Sequence, residues 1–352
     1  MNRKLLMVAA AACTAAIAGT PISASAEIPA REFKVVGTWG HLTAWQKIES
    51  PLWAEMMPEA SGGKLTAQAI PITEAGLKGY EVIRLLKLNV FDFAHGLVGY
   101  VAKGNGLIEG ADLAGMAQDF TTLRKIHEAY RETIDKTFQE TFDAKVVALH
   151  PWPPSLVYCT EPVASVKDLK GKKIRVHSAS LGDYVEGAGG TSVTMSFGEV
   201  LPALQKGVVD CAITDAMSAY RGKWHEVIKH VVPSKLAYSV SFTAVSTKLW
   251  AKLDDETRQV MTDTFAKMEE KAWAAAIDDD KNGVNCLTTG PCPTGGPGGA
   301  TLVEIDAEGL AAHQDVLQNV VLKRWAERCG AECVELWNST AGKAAGLAAP
   351  VM

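Results

Sequence analysis

The sequence has no excess of basic charge and, after its first 26 residues, no long apolar run. Its 35 Lys and Arg residues are outnumbered by 40 Asp and Glu residues, giving a net charge of −5. The basic residues are dispersed rather than gathered into a stripe, which argues against nucleic acid as a partner. No segment after residue 26 is apolar enough to span a bilayer. The sequence therefore predicts an exported, soluble protein.

Motifs of common enzyme classes are missing as well. The sequence contains no Gly-x-Ser-x-Gly, no phosphate-binding glycine loop and no His-x-x-x-His pair. His41, His95, His150 and His177 lie in separate predicted loops, where the polarity of a binding crevice accounts for them. We therefore predict that the protein is not an enzyme and has no cofactor and no metal site. An exported small-molecule enzyme remains an alternative.

The first 26 residues have the pattern of an export signal. A short basic region precedes an apolar run from Leu5 to about Ile17, and Ala24-Ser25-Ala26 forms an A-x-A cleavage pattern. Residues 1–26 are predicted to be a signal peptide that is removed on export to the periplasm. A lipoprotein signal using Cys13 is the competing interpretation, but the residues before it lack the expected leucine.

Six cysteines remain after such processing, and an even count in an exported chain predicts disulfides. Cys159 and Cys211 lie on two predicted strands, so a bridge between neighbouring strands is feasible. The other four allow three pairings; Cys286–Cys292 and Cys329–Cys333 are the simplest, and crossed pairs stay open. Their spacing matches a zinc site poorly.

Strands and helices alternate in two similar cycles, which predicts an α/β fold with a parallel sheet. About 325 mature residues suggest two lobes around a crevice. The segment 254–280 has neither proline nor glycine and predicts a helix long enough to bridge both lobes. We assign residues 31–152 and 238–265 to lobe I, and residues 153–237 and 266–345 to lobe II. Lobe II includes a loop at 282–299 rich in Gly, Pro and Cys.

Some local predictions bear on the site. Strands are predicted at 145–151 and 155–160, separated by the proline-rich stretch 151–154. A helix is predicted at 219–230, and a final helix at about 307–328 is followed by a short tail.

The strongest candidate site begins at Lys173-Ile174-Arg175-Val176. Arg175 ends a predicted strand, and the carboxyl ends of strands in an open α/β sheet face the ligand crevice. Its guanidinium is a planar fork suited to a carboxylate. A later strand brings Thr214 and Asp215 to the same edge, although Asp215 is equally suited to capping a helix. The pattern predicts an anion-binding site.

Further candidates lie in loops or at strand ends and could shape the pocket or orient the ligand. They are Trp39, His41, His95, Trp152 and Ser178. Trp224 follows Asp215 at helical spacing and is predicted to be a packing residue.

Five blocks, in order along the chain, resemble the substrate-binding subunit of tripartite ATP-independent periplasmic (TRAP) transporters, the dicarboxylate-binding-protein-like family. The blocks are Ser61-Gly62-Gly63-Lys64, Glu74-Ala75-Gly76-Leu77, residues 79–94, residues 168–176 and residues 197–210.

The resemblance implies a two-lobe periplasmic binding protein fold with hinge strands and a long helix spanning both lobes. It also implies that Arg175 pairs with a ligand carboxylate and that Phe197 packs on the ligand. Thr214 stands where the family frequently has an asparagine. Some members carry a second arginine near Ser155, and its absence here argues against a sialic-acid-like site and weakens the case for a dicarboxylate.

The resemblance and the residues together predict a periplasmic solute receptor that delivers an organic carboxylate to TRAP membrane permease subunits. A monocarboxylate with an apolar or aromatic body is favoured, and a sugar acid is the alternative. We expect a monomer. The sequence leaves open whether a cation assists binding, and whether the receptor serves transport or sensing.

Overall fold

The structure is a computed structural model that describes residues 28–163, 165–305 and 307–352, without the side chains of Val166 and Leu310. The predicted signal peptide, including Cys13, lies outside the described residues. Within the described part of the chain, no helix is both long and apolar enough to cross a bilayer.

The strands form one mixed sheet of nine strands, in the order β2-β1-β3-β8-β4-β7-β5-β6, with β9 paired to β8. The strands are β1 (Arg31–Gly37), β2 (Leu65–Pro71), β3 (Phe93–Leu97), β4 (Ala144–Cys159), β5 (Lys173–Val176), β6 (Thr191–Thr194), β7 (Cys211–Asp215), β8 (His230–Ser246) and β9 (Thr301–Leu302).

Helices cover the sheet. They are α1 (Met57–Ala60), α2 (Ile72–Ala75), α3 (Val82–Lys87), α4 (Val98–Val101), α5 (Gly106–Glu109), α6 (Phe120–Phe142), α7 (Ala179–Gly187), α8 (Val200–Gln205), α9 (Ala216–Arg221), α10 (Thr247–Trp250), α11 (Asp255–Leu287), α12 (Ala307–Val316), α13 (Leu322–Cys329), α14 (Ala331–Trp337) and α15 (Lys343–Ala345). Wider π-helical turns at Ala44–Glu49, Leu52–Met56, Leu317–Val321 and Asn338–Gly342 join or precede some of them. Single 3-10 turns occur at Val166–Leu169, Phe197–Glu199 and Trp224–Glu226.

The predicted α/β class is confirmed, but the prediction of a parallel sheet is wrong at its centre. β1 runs parallel to β2 and β3, and β5 runs parallel to β6 and β7. Between these two groups, β4 and β8 pair antiparallel with each other, with β7 and with β3. The long strands β4 and β8 belong to both halves of the sheet and run in opposite directions, so each half meets an antiparallel neighbour.

The proline-rich stretch predicted to separate two strands lies inside β4. Pro151 pairs with Val240 and Pro154 with Tyr238, so Trp152 and Pro153 together oppose the single residue Ser239. This is a β-bulge, where prolines are tolerated because the ladder is already interrupted. The predicted strands 145–151 and 155–160 are therefore one bent strand.

Two predictions for helices are also wrong. The helix predicted at 219–230 is the shorter helix α9. It ends at Arg221, because Gly222 follows and Lys223 adopts a left-handed conformation with φ 60°. Strand β8 then begins at His230.

The predicted tail after residue 328 contains α14 and α15. The indole of Trp337 in α14 is fully buried and donates to the Gly110 carbonyl at 2.8 Å, which anchors this segment.

The long helix α11 contacts both predicted lobes. The ring of Phe265 lies 5.9 Å from that of Trp53 in predicted lobe I. Near its other end, a Cβ on Gly283 would come within 2.5 Å of the Met217 backbone nitrogen in predicted lobe II. Only glycine permits that approach. The helix continues to Leu287, so the predicted loop at 282–299 begins later than expected.

The lobe boundaries stay a prediction, with one adjustment suggested by packing. Trp325 donates to the Gly106 carbonyl at 2.9 Å, whereas Arg324 pairs with Glu186 at 2.7 Å. Helix α13 therefore contacts residues assigned to lobe I as well as residues assigned to lobe II.

The disulfide prediction is confirmed in its simplest form: Cys159–Cys211, Cys286–Cys292 and Cys329–Cys333 are bonded. Cys159 and Cys211 are directly opposite each other on β4 and β7, and both are fully buried. This bridge ties the central strand of the sheet to the strand that carries Thr214 and Asp215.

We expect the Cys159→Ala/Cys211→Ala double variant to lose about 2–4 kcal/mol of unfolding free energy, because a bridge spanning 52 residues restricts the unfolded chain. Urea unfolding followed by circular dichroism measures the loss. The matched Cys286→Ala/Cys292→Ala variant opens a bridge spanning only 6 residues and should lose less. Equal losses would contradict this account.

Candidate functional site

Arg175 lies at the centre of the site with its guanidinium fully buried. Nε donates to the Met195 carbonyl at 3.1 Å, Nη1 to the Ile213 carbonyl at 2.8 Å, and Nη2 to the Tyr100 hydroxyl at 3.0 Å. These partners are neutral, and no described carboxylate forms an ion pair with this arginine. The guanidinium is a buried cation without a counter-charge.

A small cavity of about 20 Å³ adjoins this guanidinium, which is room for about one water molecule. Its wall combines residues from both predicted lobes: Trp39, Leu42, Leu97, Tyr100, Trp152, Ser155, Arg175, His177, Phe197, Thr214, Ser218 and Ser239. An organic acid can reach Arg175 only if some of these side chains move.

Aromatic rings form much of this wall. The Trp39 ring meets those of Tyr100, Phe197 and Trp152 edge-on, with centroids 5.3, 5.7 and 6.5 Å apart. Trp224 stacks on Phe197 from behind at 5.3 Å and is fully buried, which confirms its predicted packing role. The wall around Arg175 therefore combines apolar rings with a few hydroxyl groups and the imidazole of His177.

A larger cavity of about 550 Å³ lies beside the small one and shares Tyr100 and His177 with it. This volume is within the range of small-molecule sites, roughly 300–1,000 Å³. The Tyr100 ring stacks between Tyr80 at 4.4 Å and His177 at 5.7 Å, so these three rings lie along the boundary between the two spaces.

Comparison with known proteins decides the family. The model of the family described as bacterial extracellular solute-binding protein, family 7 (DctP), matches residues 38–328. The chain belongs to this family. The predicted resemblance to TRAP receptors is thereby confirmed.

Known relatives of this family 7 protein span almost its whole length. It is 24% identical to the C4-dicarboxylate-binding periplasmic protein DctP of Rhodobacter capsulatus, over 91% of this chain and 95% of that protein. The crystal structure of DctP7, a Bordetella pertussis extracytoplasmic solute receptor binding pyroglutamic acid, has a TM-score of 0.79 at 22% identity, covering 88% of this chain and 99% of DctP7. A TRAP periplasmic solute-binding protein from Desulfovibrio salexigens with bound orotic acid has a TM-score of 0.80 at 18% identity, covering 90% and 98%. These likenesses confirm the two-lobe fold.

The family 7 chain brings most predicted site residues together. Trp39, Trp152, Arg175, Phe197 and Thr214 line the small cavity, and Ser178 lines the large one. Their roles in ligand binding stay a prediction.

Asp215 has a different environment. Its carboxylate accepts from the Ser218 backbone N–H at 2.8 Å, which caps α9, and from the Trp152 indole N–H at 2.5 Å. The capping role considered for Asp215 is confirmed, and Asp215 is not a hydrogen-bond partner of Arg175 among the residues described. It fixes the orientation of Trp152.

Two histidines predicted as ligand contacts lie away from the guanidinium. His41 is exposed, and its ring lies 5.9 Å from that of Phe197. Partial burial of the ring and the positive charge of Arg221 both lower the pKa of His41. His95 is buried between Trp53 and Thr243 and lines neither of the two cavities. Because β3 is covered on both faces, the end of this strand is part of the core.

Sequence reasoning missed Tyr80, Tyr100, Asp112 and Ser239. Tyr100 could have been predicted in the same way as Arg175, because it follows the carboxyl end of β3. Its hydroxyl accepts from Arg175 and from the Phe197 backbone N–H at 3.1 Å. Asp112 and Ser239 carry no motif. The fold alone brings them beside His177, whose Nε2 lies 3.3 Å from the Ser239 hydroxyl.

Three buried side chains offer potential metal-ligand atoms within 4.8 Å of one another: Glu49, His95 and His150. The Trp53 indole donates to His95 Nε2 at 2.8 Å, which leaves the proton of this ring on Nδ1, 2.9 Å from Thr243 Oγ1. A metal would have to displace one of these bonds. The Glu49 carboxylate accepts twice from Thr38, through its N–H and its hydroxyl, so this group is better described as a buried hydrogen-bond cluster.

Glu49 should make stability depend on pH, because burial raises its pKa from 4.5 to about 7. Between pH 4.5 and about pH 7, the carboxyl group of Glu49 is protonated in the folded state and ionised in the unfolded state. The free energy of unfolding therefore falls as the pH rises through this window. In Glu49→Gln the amide oxygen can accept from the Thr38 backbone N–H, and the amide nitrogen can donate to the Thr38 hydroxyl. We expect the unfolding free energy of Glu49→Gln relative to wild type to rise from pH 5 to pH 7, by up to about 1.4 kcal/mol per unit.

Chemical denaturation of both proteins at matched pH values measures this difference in unfolding free energy. Contributions from the buried histidines cancel, because they are the same in both proteins. The exposed Glu55→Gln variant removes a charge from the same segment without removing a buried group. A constant difference between Glu49→Gln and wild type would show that Glu49 keeps an ordinary titration.

Proposed function

We propose that this protein is the periplasmic receptor of a TRAP-type transporter and that it binds a small organic monocarboxylate between its lobes. The observation that carries the proposal is the buried guanidinium of Arg175, surrounded by two carbonyls and a phenol and by no described acid. A buried charge without a partner is costly. A ligand carboxylate would remove that cost.

The wall around Arg175 supports an acid with a ring or an apolar body. Trp39, Trp152 and Phe197 supply flat apolar surfaces, and Thr214 and Ser155 supply hydroxyl groups. No second arginine lines either of the two cavities, and the lysine on the wall of the larger one, Lys103, is exposed, which weakens the case for a dicarboxylate. Two of the solved structures similar to this chain hold pyroglutamic acid and orotic acid, each of which has one carboxyl group on a ring.

Binding is proposed to work by closure of the two lobes. Trp39 and Tyr100 come from predicted lobe I, and Arg175 and Phe197 from predicted lobe II, so a ligand between them contacts both. Such a ligand favours the closed arrangement over the open one. We further propose that residues 1–26 direct export, that the receptor works in the periplasm, and that it delivers its ligand unchanged to membrane permease subunits.

We expect Arg175→Gln to weaken binding of the cognate acid by about 2–5 kcal/mol, because the carboxylate would then lack a buried cation. Mass spectrometry of ligand released from the natively purified protein identifies the acid. Isothermal titration calorimetry against that acid, pyroglutamate, orotate and galacturonate measures the loss.

The exposed Arg84→Gln variant removes an arginine outside the site and should bind as wild type does. Circular dichroism checks that Arg175→Gln is folded, and Arg175→Lys tests whether a point charge restores part of the affinity. Full affinity in Arg175→Gln would refute the proposal, and conversion of the bound acid to product would favour the enzyme alternative.

A further inference from the structure

The larger cavity contains an unsatisfied acceptor at a distance from Arg175. The cavity of about 550 Å³ lies between α3, α4 and the start of α7. The Asp112 side chain lines it and is only 4% exposed. Its Oδ2 has no hydrogen-bond partner among the described residues, although it is buried.

The surroundings of Asp112 keep its carboxylate in place. The backbone N–H groups of Gly99 and Val240 and the Ser239 hydroxyl donate to it, and these bonds act against burial, which raises its pKa. A Cβ on Gly99 would come within 2.8 Å of Oδ2. None of the described donors reaches Oδ2 with the geometry of a hydrogen bond, so the lone pairs of this oxygen are left over. Leaving such an atom unpaired costs about 1–3 kcal/mol.

The other polar groups of this wall do not satisfy Asp112. Glu109 is held by the Arg328 guanidinium, with Nε to Oε2 at 3.0 Å. Lys103 is exposed and forms no described ion pair. The Tyr80 hydroxyl is itself buried without a partner. The cavity thus holds two unsatisfied polar atoms, one of them a strong acceptor.

This acceptor is connected to the site of Arg175. The Ser239 hydroxyl bonds to Asp112 and lies 3.3 Å from His177 Nε2, and both Ser239 and His177 line the small cavity at Arg175. The two spaces also share the Tyr100 ring. The cleft therefore has a lone cation at Arg175 and a lone carboxylate oxygen at Asp112, and the neutral rings of Tyr100 and His177 line both spaces.

We propose that the ligand of this receptor is a carboxylate that also bears an N–H donor, and that Oδ2 of Asp112 accepts a hydrogen bond from that group. This inference rests on the proposed function, because it takes binding of the carboxylate at Arg175 as given. The ligand class is a nitrogen-bearing acid, such as a lactam acid or an amino acid. A plain aliphatic acid would leave Asp112 unpaired.

A matched pair of acids tests the inference, since replacing the N–H of a lactam ring by oxygen keeps the size and the net charge of the acid. The probes are pyroglutamate and 5-oxotetrahydrofuran-2-carboxylate. Calorimetry on the full mature protein should show that the N–H member binds about tenfold more tightly or better. In Asp112→Asn the amide can present N–H to the cavity instead of an acceptor, so this preference should fall to about onefold or reverse.

Control variants separate the two proposals. Glu109→Gln removes an acid from the same wall but not the unpaired acceptor, so it should change both members of a pair alike. Arg175→Gln should also weaken both members alike. Thermal melts confirm that each variant is folded.

The inference is overturned if wild type binds the oxygen member as well as the N–H member, or if Asp112→Asn keeps the preference. In either case carboxylate binding at Arg175 would still stand. A co-purified ligand without an N–H group would overturn the inference in the same way. If wild type binds no probe of either kind and no acid co-purifies, both proposals fail.

Discussion

The antiparallel pairing of β4 with β8 is the constraint on which the rest of the molecule depends. These two strands pair from Ala144 with Ser246 to Cys159 with His230, and so belong to both halves of the sheet. Every group that makes the site is placed relative to them. Trp152 and Ser155 come from β4, and Ser239 from β8, while β7 pairs with β4 and brings Thr214 opposite Leu156. The crevice forms where the two parallel groups of strands end against this shared pair.

The site contains titratable groups whose burial is unfavourable. Burial raises the pKa of Asp112, and burial together with the charge of Arg175 lowers the pKa of His177 to about 3, so His177 is neutral and adds no second positive charge beside Arg175. Groups of this kind reduce the stability of the fold, and they persist where a ligand uses them. The disulfide between β4 and β7 and the buried Trp337 anchor supply stability at other places.

The sequence was most informative where a residue type has few possible roles at its position in a strand. Arg175 and Thr214 could be proposed as candidates because both lie at the ends of predicted strands, and the family blocks support the arginine. The centre of the sheet could not be predicted, because strand direction depends on pairing partners distant in sequence and prolines usually end a strand. Asp112 was missed because a single aspartate in a loop resembles a surface residue, and only tertiary contacts with Gly99, Ser239 and Val240 bury it. His95, which the sequence places at a strand end, lies in the core because β3 is covered on both faces.

The bulge in β4 has a mechanical consequence. Pro151, Pro153 and Pro154 have no backbone N–H, so over four residues only Trp152 can donate to a neighbouring strand. The register of β4 with β8 shifts at the same place, between the part of β4 that pairs only with β8 and the part that also pairs with β7. The two halves of the sheet can therefore bend relative to each other here without losing a row of hydrogen bonds. Trp152 lines the small cavity at this same point, so bending there would move a wall of the pocket directly.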